Sequence, residues 1–137
     1  MLRVPSVAEC VLRVTVVRWA LKLAGYERTR SWVENRIARV PIVGDDDPAV
    51  VAAVEYAVAM GAALFPGRAQ CLERSLVLYD YLRCRGIAAR MRLGIQRYPF
   101  MAHAWVEYRG EPINDVPEHV RIFTAFDEAV RRVGVTP

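Results

Sequence analysis

Lysine is nearly missing from this 137-residue chain: Lys22 is the only one among 19 basic residues, and the rest are arginine. Set against 15 acidic residues, they leave a net charge of +4. Such an excess serves solubility and can steer an acidic partner. The patterns that would direct it to nucleic acid are lacking. There is no RNP-like strand, no zinc-finger spacing and no phosphate-binding loop, so no nucleic-acid partner is expected. Cysteine is scarce too. Cys10, Cys71 and Cys84 are odd in number and irregular in spacing, with no CxxC. That argues against a disulfide framework and points to a reducing cytoplasm. Histidine is limited to His103 and His119, so neither a metal site nor a cofactor is expected. Long uncharged apolar runs are also missing. Glu9, Arg13, Arg18 and Lys22 interrupt the first 25 residues, leaving no signal-peptide core and no small-residue cleavage site. Residues 49–65 come nearer to a membrane span, but they are short and carry Glu55 centrally. They read as a buried helix, and membrane association is not expected.

What is present is core material. Hydrophobic residues make up 54% and charged residues 25%, the balance of a folded domain rather than a disordered chain. One domain over 1–137 is expected. It has a helical part (1–66), a helix-and-sheet part (67–116) and a tail (117–137). Charges at 9, 13, 18 and 22 lie along one side of a helix over 6–24, with Gly25 placed as its C-cap. A second helix is read over 29–39, ending before Pro41. Asp47 and Pro48 are a good N-cap and first residue for a third over 48–63. A fourth covers about 70–85, with Leu72, Ser75, Leu76, Tyr79 and Leu82 in one stripe and Gly86 at its end. Beyond it the period falls from 3.6 to 2. "AARMRLGIQ" and "MAHAWVEYR" read as strands, "EPIND" as a short third strand and 124–133 as a last helix. Helices followed by antiparallel strands make an α+β domain.

The second hairpin carries a functional implication. A three-residue loop, Tyr108-Arg109-Gly110, would place Gly110 in the left-handed position. Glu107 would then face Glu111, Trp105 Ile113, and His103 Asp115. Directly opposed residues have Cβ atoms about 4.5–5.5 Å apart, close enough for His103 to hydrogen-bond Asp115. A two-residue loop would shift this register.

Cysteine catalysis needs a thiolate, a base and a group that orients the base. Cys71 sits at a helix start, where unpaired N–H groups and the helix dipole favour negative charge. His103 would be the base and Asp115 its orienter. Each also has a plainer reading: a core cysteine, a hydrogen-bonded strand histidine, a turn aspartate before Pro117. Cys84 lies at the unfavourable end of its helix and Cys10 in an apolar segment, so both read as structural. His119 has no evident partner in a polar loop. Gln70 is a candidate oxyanion or substrate contact, with a helix-start role as the alternative. Trp105 shares the His103 face and would shield the pair, wall a substrate groove or fill the core.

"CLERSLVLYDYLRCRGIAARMRLGI" followed by "PFMAHAWVEYRGEPIND" resembles the transglutaminase-like, papain-related cysteine peptidases of lasso peptide biosynthesis. The resemblance is close over about 67–116, and the helical first half is similar in character only. It implies a papain/transglutaminase-like core and a bacterial peptidase that removes the leader from a ribosomally made precursor. By position it makes Cys71 the nucleophile, His103 the general base and Asp115 the orienting acid. Some family members carry a winged-helix-like leader-recognition domain ahead of the peptidase. Residues 1–66 look too short and too helical for it, so a separate recognition protein is expected to deliver the leader. An ATP-dependent cyclase would then close the lasso. The apolar first half is the candidate docking surface. Acyl transfer to an amine and a non-catalytic adaptor role are the competing readings.

Overall fold

A computed structural model of the chain describes residues 3–44, 46–65 and 71–125. The first helix, α1 (Val7–Ala24), starts where the Ser6 hydroxyl accepts the Glu9 N–H and ends at Gly25. Gly25 has φ +83°, a conformation that glycine adopts without strain. It therefore closes α1 and opens α2 (Tyr26–Ile37) with no intervening loop. This is why α2 runs three residues ahead of its expected start. In α3 (Pro48–Leu64), the Asp47 carboxylate caps the Ala49 N–H and Pro48 takes the first turn. Helix α3 lies close against α1. A Cβ on Gly61 would come within 2.4 Å of the Cys10 side chain, so this approach requires glycine.

The fourth helix, α4 (Cys71–Cys84), is the centre of the molecule. The expected stripe is inward, but Val77, Leu78 and Tyr81 are buried as well. Helices α1, α2 and α3 cover one side and the sheet the other, so α4 has little solvent face. Its acidic residues Glu73 and Asp80 are buried with it. Arginines of α1 and α2 meet them: Arg18 approaches Glu73 at 3.7 Å, and Arg13 and Arg36 approach Asp80 at 4.0 and 3.6 Å. Burying a carboxylate without such partners is costly. Helix α1 consequently turns an apolar row outward, with Leu12, Val16, Trp19 and Leu23 exposed. At the far end of α4, the Gly86 N–H bonds to the Arg83 carbonyl and the Ile87 N–H to that of Leu82. This is a Schellman cap with Gly86 in the left-handed position.

The sheet is antiparallel in the order β3-β2-β1-β4. Strands β1 (Ala89–Gln96) and β2 (Met101–Tyr108) pair along their full length. The β2–β3 loop has only two residues, Arg109 and Gly110, at φ +53° and +80°. Two successive positive φ angles match a type I′ hairpin, whose twist suits the flanking strands. Glu107 therefore faces Pro112 and Tyr108 faces Glu111, so the three-residue loop and its register are overturned. Strand β3 (Glu111–Pro112) is shorter than expected. After the single-turn helix α5 (Pro117–Val120), Thr124 and Ala125 form β4 against Ile95 and Gly94. A helix was expected to begin at 124; the rest of that segment, 126–133, lies outside the described residues. The arrangement is α+β, as expected: helices enclosing α4 on one side, a small antiparallel sheet on the other.

Candidate active site

A cleft of about 250 Å³ opens beside the start of α4, lined by Cys71, Arg74, His103, Ala104, Asn114, Asp115 and His119. Cys71 is the first residue of α4 and is half-buried, in the turn whose N–H groups have no intrahelical partner. Strand β2 crosses α4 at Ala104, whose carbonyl accepts the hydroxyl of fully buried Ser75 at 3.1 Å. That contact fixes the helix start relative to the neighbouring His103.

His103 and Asp115 do meet, but not by strand pairing. Where β3 ends, the Ile113 N–H still bonds to the Val106 carbonyl. The next link is a side chain: Asn114 Oδ1 accepts the Val106 N–H at 2.9 Å, and its Nδ2 donates to Ser75 Oγ at 3.0 Å. Asn114 thus ties the departing chain to β2 and α4 together, and the following residue is delivered to His103. His103 Nε2 lies 2.5 Å from Asp115 Oδ2. An ionised carboxylate only accepts hydrogen bonds, so the ring proton sits on Nε2 and the Nδ1 lone pair is left for other work.

His119 is the residue that sequence reasoning missed. Its Nδ1 donates to the same Asp115 oxygen at 2.7 Å, and its ring meets that of His103 edge-on at 4.8 Å. The signal was the four-residue spacing from Asp115 to His119 across Pro117, one helical turn begun at a good first position. Burial alone would raise the Asp115 pKa, but hydrogen bonds from His119, His103 and the Val116 N–H outweigh it and hold the carboxyl below its ordinary value. His103, Asp115 and His119 place three metal-type donor atoms within 4.8 Å of one another, a cluster that counting two histidines did not anticipate.

Trp105 is 2% exposed. It stacks on the His103 ring at 5.9 Å, donates to Glu107 and covers Gly94. It is absent from the cleft lining. Phe123 flanks the His103 ring at 5.0 Å. Gln70 lies outside the described residues. Burial raises the thiol pKa of Cys10. Cys84 is raised by burial and by the negative charge of Asp80. A larger cavity of about 340 Å³ between α2 and β1 contains no cysteine or histidine. Among the described residues, no helix is long and apolar enough to cross a membrane.

Comparison with known proteins agrees with this architecture. The chain is 40% identical over 50 residues to the microcin J25-processing protein McjB of Escherichia coli. That stretch covers 36% of this chain and 24% of McjB, so the match spans about a quarter of the relative's length. No solved structure gives a significant match. The transglutaminase-like superfamily matches residues 11–126, from the second turn of α1 onward, and the chain belongs to that superfamily.

Proposed function

We propose that the chain is a cysteine peptidase that removes the leader from a ribosomally made lasso peptide precursor, with Cys71, His103 and Asp115 as its catalytic triad. The observation that carries this reading is the shared cleft. A cysteine at a helix start lines the same cleft as a histidine whose Nε2 is committed to a carboxylate, which leaves Nδ1 as the nitrogen for a base. Similarity to a microcin-processing protein supports the pathway.

His103 Nδ1 takes the Cys71 thiol proton. The thiolate attacks the carbonyl carbon of the leader–core peptide bond, and the Cys71 backbone N–H stabilises the oxyanion. Collapse breaks the C–N bond. The imidazolium protonates the departing amine of the core peptide, leaving the leader as a thioester on Cys71. His103 then deprotonates a water that attacks the thioester, releasing the leader acid and restoring the thiol. Asp115 holds the ring in the productive tautomer throughout. Trp105 and Phe123 brace the ring and keep water from its faces. A separate recognition protein delivers the leader, the exposed row on α1 offers it a docking face, and a cyclase consumes the freed core. The reaction takes place in the cytoplasm.

Superfamily membership favours one alternative, transfer of the acyl group from Cys71 to an amine in place of water. Product mass separates the two outcomes: a free leader acid for hydrolysis, an amine adduct for transfer. The test of the whole reading is Cys71→Ala incubated with precursor and recognition protein. Folded mutant with no cleavage is expected; cleavage at the wild-type rate would refute it. Thiol alkylation tests the adaptor alternative. A catalytic Cys71 is alkylated faster in wild type than in His103→Ala, whereas an adaptor cysteine reacts at the same rate in both.

A further inference from the structure

We propose that His103, Asp115 and His119 form a binding site for a divalent d-block metal ion, zinc above all, and that occupancy shuts off the peptidase by reversing the tautomer of His103. The inhibitory half of this inference rests on the function proposed above; the binding half does not.

The donor set is two imidazoles and one carboxylate, a combination that first-row metals take readily. Among the described residues it is the one such trio, with all three ligand atoms within 4.8 Å of one another. Both nitrogens already point at a single oxygen, at 2.5 and 2.7 Å. Zinc binds nitrogen and carboxylate oxygen at about 2.0–2.2 Å, so donors around one ion stand roughly 3.3 Å apart. The ligand atoms span up to 4.8 Å, with the two nitrogens farthest apart, so binding closes the nitrogens by about 1.5 Å while Asp115 Oδ2 withdraws by less than about 1 Å, changes within reach of side-chain rotation at His119 and Asp115. Its other oxygen is held by the Val116 N–H at 2.7 Å, the kind of outer hydrogen bond that orients a ligating carboxylate. Phe123 supports both rings, at 5.0 and 5.4 Å. The His119 side chain is 43% exposed and gives the ion a way in. Arg74 lines the same cleft and opposes a cation. Two imidazoles to one carboxylate select against calcium and magnesium, which take oxygen ligands, and leave metals that bind imidazole strongly.

The consequence for His103 follows from imidazole chemistry. In the metal-free state Nε2 carries the proton and Nδ1 the lone pair. A neutral ring that coordinates metal through Nε2 must carry its proton on Nδ1. No proton is lost: it moves to the other nitrogen through solvent, and His119 likewise passes its Nδ1 proton to Nε2 before Nδ1 binds the ion. Nδ1 then donates where catalysis needs it to accept, and Asp115 is drawn onto the ion.

The experiment is isothermal titration of Zn²⁺ into the full wild-type chain, His119→Ala, His119→Gln and Cys71→Ala. One ion per wild-type chain at micromolar or tighter affinity is expected. Both His119 variants should bind at least tenfold more weakly, and Cys71→Ala should bind like wild type. No binding by wild type at 100 µM Zn²⁺, on the order of a 6 kcal/mol ceiling, overturns the site. So does undiminished binding by the His119 variants, or loss of binding in Cys71→Ala. Precursor cleavage is then measured with saturating Zn²⁺ and after chelation. Arrest followed by recovery is expected; continued cleavage by zinc-loaded wild type refutes the tautomer switch. A wild type that cleaves nothing without zinc refutes the proposed function and leaves the binding result standing.

Discussion

Asn114→Ala should damage stability and catalysis together, because one side chain serves both. In the wild type, Asn114 Oδ1 satisfies the Val106 N–H and Nδ2 donates to Ser75 Oγ, at 2.9 and 3.0 Å. Val106 and Ser75 are both fully buried. Truncation strands a buried N–H, which costs about 1–3 kcal/mol, and removes a second bond worth about 0.5–1.5 kcal/mol. The sum is roughly 3 kcal/mol. For a domain of this size it corresponds to a melting-temperature drop on the order of 10 °C. The tie that carries the chain to Asp115 is cut as well, so His103 loses its fixed partner. A misplacement on the order of 1 Å costs about 100-fold in rate, and precursor cleavage should fall by roughly 10–100-fold. The assay is a thermal melt with single-turnover cleavage on the same preparation. Ser75→Ala supplies a second leg. The Ser75–Asn114 bond is counted in both single variants, so the double variant should fall short of their sum by about 1 kcal/mol. A melting temperature within about 2 °C of wild type, with cleavage unchanged, would refute the role given to Asn114.

Two further perturbations probe the surroundings. Gly94→Ala places a Cβ 2.8 Å from both the Trp105 ring and the Phe123 Cβ; overfilling of this kind costs about 1–3 kcal/mol, and a urea midpoint equal to wild type would contradict the wall described around His103. Tyr79 donates to Glu34 at 3.1 Å, and burial, then the Glu34 charge, push its pKa up to about 12. The folded value lies above the unfolded value of about 10, so its contribution is full below pH 10 and lost as pH rises toward 12. Wild type should lose up to about 3 kcal/mol more than Tyr79→Phe across that window, and equal losses in urea melts at pH 9 and 12 would contradict the assignment.

Helix ends were the most legible part of the sequence, since Asp47-Pro48 and Gly86 act locally and do in the fold what their chemistry dictates. Gly25 shows the limit. A left-handed glycine either ends a helix before a loop or joins two helices directly, and only tertiary contacts decide which. The charges of α1 were legible as a stripe, but Arg13 and Arg18 face the buried acids of α4, a pairing across some sixty residues that periodicity does not reveal. The pairing of His103 with Asp115 was expected for a reason that does not hold. The hairpin adopts the two-residue loop, and the pair forms because Asn114 replaces the ladder with a side-chain splice. Such a splice leaves no periodic trace. His119 was hidden likewise, since its partner Asp115 had already been assigned to His103.

The most direct test of the central claim is the mass of the protein during a single turnover. Wild type is mixed with the cognate precursor and its recognition protein, then quenched in acid on the millisecond-to-second scale. A transient species heavier than the chain by the leader minus one water is expected, with fragmentation placing the leader's C-terminal carbonyl on Cys71. Folded Cys71→Ala should give no such species and no cleavage. Cleavage without any adduct on Cys71, or undiminished cleavage by Cys71→Ala, would contradict the central claim.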